Sequence, residues 1–178
     1  MTFKLSFNDY YSLDISNKIK AVKHRKQEKG EYLAPYAPYG YMKVPNIKNH
    51  LIINEETAPI VKRIFELYLQ GVGTPKIAKL LNNENIPSPS KHLNTERYKK
   101  CSHKWNKGAI YRLLKEKVYI GTIVGHKSYK VNHKVKTRVK VPKKEWYYVE
   151  NQHEPIIDKE TFEAVQTKLA NGNKCRER

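Results

Sequence analysis

The stretch from Gly71 to Leu114 constrains the fold most strongly, because it carries two short amphipathic patterns separated by a proline-containing break. In the first pattern, Thr74 is predicted to be the N-cap of a helix and Pro75 its first residue, where a missing N–H costs nothing. In the second, from about Asn106 to Leu114, the apolar residues fall on one side of a helix. Such a pair is typical of a helix-turn-helix-like DNA-binding unit, but a two-helix corner of any small core has the same pattern.

The connection between the two patterns departs from a compact helix-turn-helix. Pro87 to Ser102 is rich in Ser and Lys. It predicts an irregular loop, which is long for a turn between two DNA-reading helices. On the second helix, Lys107, Tyr111 and Arg112 are expected to face outward, with bracing of the fold as the alternative role for Arg112.

Positive charge is concentrated in one block of the sequence. The whole chain has 35 basic and 17 acidic residues, a formal net charge of +18 and a sequence pI of about 9.8. Residues 91–144 alone carry 17 basic and 2 acidic side chains. A surface that is charged only for solubility mixes the two signs, whereas segregation is the pattern of polyanion binding. The charge therefore predicts a nucleic acid as partner, with a membrane surface as the second possibility.

The sequence offers little for catalysis or for a cofactor. It contains no Gly-rich phosphate loop, no paired acids with metal-type spacing and no nucleophile elbow. Cys101, His103 and Cys175 lack the paired spacing of a zinc site, and two lone cysteines indicate a reducing cytoplasm. No run approaches the ~18 apolar residues that a membrane span needs. We therefore expect a cytoplasmic chain that is not itself an enzyme, with no metal, no cofactor and no membrane partner.

A helix is predicted from about Asp9 to Lys29, with Asp14 or Ser12 as its cap and Gly30 as its end. Its apolar stripe is narrow, and most of its remaining surface is basic. The helix is either a solvated surface element or one whose basic C-terminal half lies along phosphates, and the clustering of cations favours the second. These cations are Lys20, Lys23, Arg25, Lys26 and Lys29.

Packing elements are predicted between this helix and the opening stretch. The segment 32–41, rich in tyrosine and proline, predicts an extended chain whose rings mostly pack. A hairpin is expected within 44–53, turning near Asn46 to Asn49. The residues from Asn54 to Thr57 then begin a core helix with a broad apolar face, which Gly71 stops.

Strands are predicted at several places further along the chain. Val118 to Val124 and Glu145 to Glu150 are two of them. From Val131 to Val141 valines alternate with cations, which predicts a buried face and a basic face, and phosphate contact is favoured over a charged edge strand. The cations of that strand are Lys134, Lys136, Arg138 and Lys140. Asp158 is predicted to cap a last helix, and residues 171–178 to be disordered or a linker.

Several motifs together resemble the large serine recombinase family. The resemblance runs from about residue 8 to residue 170. Its motifs are Ala37-Pro38-Tyr39-Gly40-Tyr41, Ile77 to Asn82 with Ile86-Pro87, Trp105-Asn106 with Ile110 to Leu114, Tyr119-Ile120-Gly121, and Glu150 to Ile157 with Phe162 and Val165.

The resemblance implies an α+β fold: a helix-rich DNA-binding domain with a helix-turn-helix-like unit and a small antiparallel sheet. It implies that residues 1–30 are the end of a basic connecting helix from a catalytic serine domain, 31–170 the recombinase domain, and 171–178 a tail or linker. The catalytic domain upstream and the zinc ribbon downstream are absent from this sequence, so it looks like an excised fragment. The parent protein would be a site-specific recombinase of a phage or other mobile element, acting in integration or transposition and self-associating through its catalytic domain.

The expected partner is duplex DNA at an attachment or transposon-end site. Residues expected in the major groove are Lys104, Asn106, Lys107, Tyr111 and Arg112. Residues expected along the backbone or minor groove are the two sets of cations given above for the first helix and for the alternating strand. An RNA-binding module and a helix-turn-helix transcription regulator are the alternative functions.

Overall fold

The computed structural model describes residues 2–44, 47–93, 103–130 and 137–174. As predicted, these residues form a helix-rich α+β structure with small antiparallel sheets. The helices are α1 (Thr2–Glu28), α2 (Ala58–Leu69), α3 (Thr74–Asn83), α4 (Pro89–Leu93), α5 (Lys107–Lys115) and α6 (Lys159–Lys174). The strands are β1 (Tyr41–Lys43), β2 (Leu51–Ile53), β3 (Ile123–Gly125), β4 (Ser128–Lys130), β5 (Arg138–Lys140) and β6 (Tyr147–Val149).

The chain divides into two compact units. Met1–Leu33 and Thr122–Gln152 form one, which we call the helix–ribbon unit, and Ala34–Gly121 and His153–Arg178 form the other, which we call the core unit. The prediction of a connecting helix at 1–30 followed by a DNA-binding domain at 31–170 stays a prediction. Among the helices of the described ranges, none combines the length and the apolar character that crossing a membrane requires.

The core unit is built on the apolar faces of α2, α3, α5 and α6. Val61, Ile64 and Phe65 of α2 are fully buried, as the broad apolar face of this helix predicted. Burial of each such side chain contributes about 1.5–3 kcal/mol relative to exposure. The start of α2 is also confirmed: Thr57 is its N-cap, and the Asn54 carboxamide oxygen accepts the amide of Glu56 at 3.0 Å.

The predicted hairpin is present, but its first strand begins earlier than expected. Strands β1 and β2 pair antiparallel, with Tyr41 opposite Ile53. Tyr39 and Tyr41 are buried, so the prediction that the tyrosine-rich segment mostly packs is correct for these two rings. Burial raises the pKa of Tyr39 to about 12, because the phenolate form would lose its hydration.

In the helix–ribbon unit, α1 packs on the two-stranded sheet β3–β6. A Cβ at Gly125 would lie 2.9 Å from Cβ of Gln27, so the strand and the helix approach too closely for any side chain at this position. Gly30, at φ +74, ends α1 as predicted, and the amide of Glu31 donates to the carbonyl of Lys26 at 3.0 Å. This pairing satisfies carbonyls that the last turn leaves open.

The starts of two helices differ from their predictions. Helix α1 begins at Thr2, so Ser12 and Asp14 lie inside it and neither is its cap; Asp14 instead pairs with Lys18 at 2.8 Å. The N-cap of α3 is Gly73, because its carbonyl accepts the first helical amide while its own backbone is extended. Thr74 is therefore the first residue of α3 and not its cap.

Three other predicted segments are helical in the structure. Lys117–Ile120 is a 3₁₀ turn and not the start of a strand: the amide of Gly121 donates to the carbonyl of Val118 at 3.1 Å, and Gly121 takes the left-handed conformation at φ +76. Helix α4 occupies part of the predicted irregular loop, whose residues 94–102 lie outside the described ranges. Helix α6, capped by Asp158 as predicted, continues one polar turn into the predicted tail, to Lys174.

The predicted alternating strand is only partly borne out. Residues 131–136 lie outside the described ranges, and β5 covers the three residues Arg138–Lys140. Val141 is buried as predicted, but 39% of Val139 is exposed. Val139 faces Tyr129 on β4, which is itself 44% exposed, because β4 and β5 form a ribbon of two strands.

Candidate nucleic-acid interface

Helix α5 is fixed in the core unit by its inner face. Ile110, Leu113 and Leu114 are buried, as the sequence pattern predicted. They pack α5 against α3, α2 and α6. From α6, Nε2 of Gln166 donates to the carbonyl of Leu114 at 2.7 Å, so an otherwise open carbonyl at the end of α5 is paired.

The outer face of α5 is basic. Lys107, Arg112 and Lys115 are exposed, and no acidic residue occurs between positions 103 and 115. Nε of Arg112 donates to the carbonyl of Gly108 at 3.2 Å, within its own helix. The alternative role for Arg112, bracing the fold from the core side, is therefore wrong.

Asn106 begins this helix. Its carboxamide oxygen accepts the amide of Ala109 at 2.9 Å, so Asn106 is the N-cap of α5. The cap pairs one of the four amide groups that a helix start leaves open, and its loss typically costs about 1 kcal/mol. Lys104 precedes the cap and is exposed.

Tyr111 is half-buried, unlike its neighbours on the outer face. Nζ of Lys115 lies 4.5 Å from the centre of its ring. Burial, and secondarily the proximity of Tyr111, raises the pKa of Tyr68 on α2. Tyr111 is thus partly engaged in packing, a role that the sequence pattern did not separate from an outward one.

A groove of about 340 Å³ lies in the helix–ribbon unit between α1 and the ribbon β4–β5. Four cations line it, and none of the described residues that line it is acidic. Apolar side chains of Ile15 and Ile19 and the ring of Tyr129 also line it. The four cations are Lys20, Lys23, Lys130 and Arg138; we call this feature the basic groove.

Two of these cations are direct neighbours across the ribbon. Lys130 on β4 is paired with Arg138 on β5. Like charges directly opposite each other in an antiparallel pair destabilise it. An anion in the basic groove would offset this repulsion.

The structure divides the predicted backbone-contacting cations. Lys20, Lys23 and Arg138 line the basic groove, whereas Arg25 and Lys29 are exposed but do not line it. Lys26 pairs with Glu31 at 3.6 Å. Lys140 lies at the end of β5, opposite Ser128. Lys134 and Lys136 lie outside the described ranges.

Aromatic and histidine rings pack together between the basic groove and the sheet β3–β6. His24 on α1 and His126 both line the groove, with their ring centres 4.6 Å apart. The ring of His126 stacks on Tyr147 of β6 at 5.1 Å. These contacts fix the C-terminal half of α1 on its sheet, although the two histidines carried no sequence signal for such a role.

Three further residues of these regions were not among the predicted site residues. Lys115 lies one turn beyond Tyr111, and its i+4 spacing from Tyr111 could have identified it. Lys130 is paired with Arg138, and this pairing brings it into the basic groove. Asn82 on α3 contacts the main chain of Trp105, and a contact across 23 residues carries no local signal.

No metal centre is indicated in the part of the chain that the structure describes, where no three His, Cys, Asp or Glu side chains come close enough to hold an ion. His103 is exposed within that part. Cys101 and Cys175 lie outside it.

Comparison with known proteins identifies the family. The sequence model of the Recombinase family matches residues 55–172, which is more than half of the chain. The chain therefore belongs to the Recombinase family, and the resemblance to large serine recombinases is confirmed.

Two solved structures share the fold. The crystal structure of an LSR–DNA complex, LSR denoting a large serine recombinase, matches with a TM-score of 0.53 and 23% sequence identity. The matched region covers 88% of this chain and 39% of the chain in that complex. A structure concerned with the sequence requirements of the Listeria innocua prophage attP site matches with a TM-score of 0.56 and 19% identity. Here the matched region covers 86% of this chain and 51% of the other chain. This chain therefore spans about half or less of the length of either neighbour.

Proposed function

We propose that this chain is the DNA-binding, non-catalytic part of a large serine recombinase, and that it binds duplex DNA sequence-specifically at an attachment or transposon-end site. In this proposal a serine-bearing domain elsewhere in the parent protein performs recombination and mediates self-association. Membership of the Recombinase family supports the proposal. The likeness in fold to a recombinase bound to DNA is consistent with it.

The observation that carries the proposal is the two-sided character of α5. Its inner face is buried, and its outer face bears cations without a carboxylate among them. The major groove of B-DNA is about 12 Å wide, which admits one helix, and Lys and Arg are the residues that most often contact guanine there. We therefore assign Lys104, Asn106, Lys107 and Arg112 to the major groove, with Tyr111 at its edge, and α3–α5 as the helix-turn-helix-like pair.

The cap at Asn106 limits what this residue can read. An uncommitted Asn contacts adenine through both its oxygen and its nitrogen. Because the cap directs Oδ1 of Asn106 toward the amide of Ala109, Nδ2 is the atom that we assign to a base. A single contact to an acceptor on a base edge is the role that we propose for it.

The cations of the helix–ribbon unit contact the DNA backbone in this proposal. Lys20, Lys23 and Arg138 of the basic groove are the main group, and Lys130 joins them. Arg25, Lys29 and Lys140 are further contacts to phosphates or the minor groove. Each phosphate neutralised by such a cation releases condensed counterions, so binding falls as salt rises whatever the DNA sequence is.

Selection from a random duplex library tests the proposal. The purified chain should enrich one motif, and it should bind the selected duplex more tightly than a scrambled duplex of the same composition. Structured RNA serves as the competitor. Enrichment of no motif, or displacement of the selected duplex by an equal concentration of structured RNA, would favour the RNA-binding alternative and overturn the proposal.

A further inference from the structure

We infer that Asn82 is a positioning residue for the reading of DNA, acting through the main chain that precedes α5. This inference rests on the proposed function. Asn82 lies in the last turn of α3 and is half-buried. It contributes no charge, and in this account it touches no DNA.

Both polar atoms of the Asn82 side chain are used on a single distant residue. Oδ1 accepts the amide of Trp105 at 2.8 Å, and Nδ2 donates to the carbonyl of Trp105 at 2.9 Å. A carboxamide that pairs with both main-chain groups of one residue fixes that residue's position and also its orientation. The main chain of Trp105 is thereby tied to the end of α3.

The residue after Trp105 is the cap of α5. Asn106 and Lys107, two of the proposed base-contacting residues, are therefore placed by a segment whose main chain Asn82 holds. Productive contact with a base edge requires hydrogen-bond distances of about 2.7–3.2 Å. A small shift of the first turn of α5 is thus enough to remove base contacts while contacts to phosphates, which depend on charge, persist.

The side chain of Trp105 is anchored separately from its main chain. Its indole Nε1 donates to the carbonyl of Ile86 at 3.1 Å, and the ring of Tyr39 meets it edge-on at 5.2 Å. Only 3% of Trp105 is exposed. A substitution of the Trp105 side chain can therefore reduce stability while the two hydrogen bonds from Asn82 to the Trp105 main chain are kept.

Asn82 is also not needed to end its own helix. The amide of Ile86 donates to the carbonyl of Leu81 at 3.0 Å, and Asn85 takes the left-handed conformation at φ +56. These main-chain features close the last turn of α3 without the help of a side chain. Removing the Asn82 carboxamide thus acts on Trp105 and not on the termination of α3.

The test compares Asn82→Ala with Trp105→Phe on the selected duplex and on a scrambled duplex. Asn82→Ala should lower the ratio of the two affinities about tenfold, because the base contacts are misplaced. Affinity for the scrambled duplex should change by less than about twofold, because every phosphate-binding cation remains in place. Trp105→Phe keeps an aromatic ring and both main-chain bonds from Asn82 but loses the indole N–H that binds Ile86 and part of the buried ring, so it should be less stable and keep the ratio of the parent chain.

The outcomes separate this inference from the proposed function. If the unaltered chain does not prefer its selected duplex, the proposed function fails. If the unaltered chain discriminates and folded Asn82→Ala discriminates equally, the positioning role alone is wrong; equal losses in Asn82→Ala and Trp105→Phe would also overturn it. Should Asn82→Ala not fold, Asn82→Asp decides by the same ratio, because it keeps an acceptor for the Trp105 amide and lacks the donor for the Trp105 carbonyl.

Discussion

Helix α5 and the basic groove are both cationic, but they hold their cations in different ways. In α5 the cations stand on a helix whose other face is buried and whose start is fixed by the Asn106 cap. In the basic groove, Lys130 faces Arg138 across an exposed two-stranded ribbon. The arrangement in α5 fixes the positions of its cations, whereas the arrangement in the basic groove concentrates positive charge without fixing the cations as closely.

This difference is important because contacts to base edges and contacts to phosphates require different precision in the position of the side chain. A base contact is directional and breaks when the donor moves by a fraction of an ångström, whereas attraction to phosphates tolerates such movement. We therefore expect α5 to determine which sequence is bound and the basic groove to determine how tightly any duplex is bound. Substitutions in the two regions should be distinguishable by their dependence on sequence and on salt.

The largest effect is expected from Lys23→Ala combined with Arg138→Ala in the basic groove. Removing two phosphate-binding cations should weaken binding of every duplex at 0.1 M salt by roughly fifty- to a hundredfold, and the slope of log K against log salt should fall by about 1.8. Fluorescence anisotropy over a salt series measures both quantities.

The control for this pair removes the same charge elsewhere. Lys62→Ala with Lys159→Ala, both exposed cations of the core unit, should leave the slope within about 0.3 of its original value. An equal loss of slope in the control would show that net charge and not the basic groove governs binding. That result would remove the distinction drawn between the two regions.

A smaller and selective effect is expected from Asn106→Ser. Serine retains an oxygen for the amide of Ala109, so α5 keeps its cap, but the Nδ2 donor is gone. The selected duplex should bind about fivefold more weakly, near the lower limit for a contact to a base. Binding to a scrambled duplex should be unchanged.

Asn106→Ala is the matched comparison for that change. It removes the cap as well and should lower the free energy of unfolding by about 1 kcal/mol, which urea denaturation measures. If Asn106→Ser retains the full preference for the selected duplex, Asn106 is a cap and nothing more.

The helices of the core unit could be predicted from sequence because burial imposes a period on their apolar residues. Ile110 and Leu114 recur at helical spacing, and Asp158 is a capping residue immediately before α6. Local chemistry was sufficient in these cases. The assignment of the fold to α+β, which the family resemblance implied, was also correct.

The predictions were wrong for segments whose structure depends on contacts with residues that are distant in the sequence. Val118 to Ile120 are residues that favour strands, yet they form a 3₁₀ turn, and the carbonyl of Tyr119 accepts two amides about 37 residues further along the chain. Val139 follows the alternating pattern but is exposed, because its ribbon has no third layer to cover it among the described residues. The clamp between Asn82 and Trp105 is likewise invisible to any local pattern.

The smallest effect is a pH dependence confined to the core unit. His153 is buried, and Nε2 pairs with the carbonyl of Val118 at 2.7 Å, while Nδ1 finds no partner among the described residues. Burial lowers the pKa of His153 because the protonated ring would lose its hydration. As pH falls below the unfolded-state pKa of about 6.5, the unfolded chain binds this proton first, so stability falls; above that pH the group has no effect.

Urea denaturation at pH 7.5 and pH 5.5 measures this dependence. The midpoint should be lower at pH 5.5, and His153→Gln should reduce the difference between the two pH values. His103→Gln, a change at an exposed histidine, is the control and should leave the difference unchanged. Identical pH differences in the parent chain and in His153→Gln would contradict the proposed role of His153.

The central claim is that α5 determines which DNA sequence is bound, whereas the basic groove binds any duplex. The effect of Lys107→Ala on sequence preference tests this claim most directly. The affinities of the parent chain and of Lys107→Ala are measured on the selected duplex and on a scrambled duplex at one salt concentration. We predict that Lys107→Ala costs about 1–3 kcal/mol on the selected duplex beyond its cost on the scrambled one. If the two duplexes lose affinity equally, Lys107 is only a phosphate contact and α5 is not the reading helix.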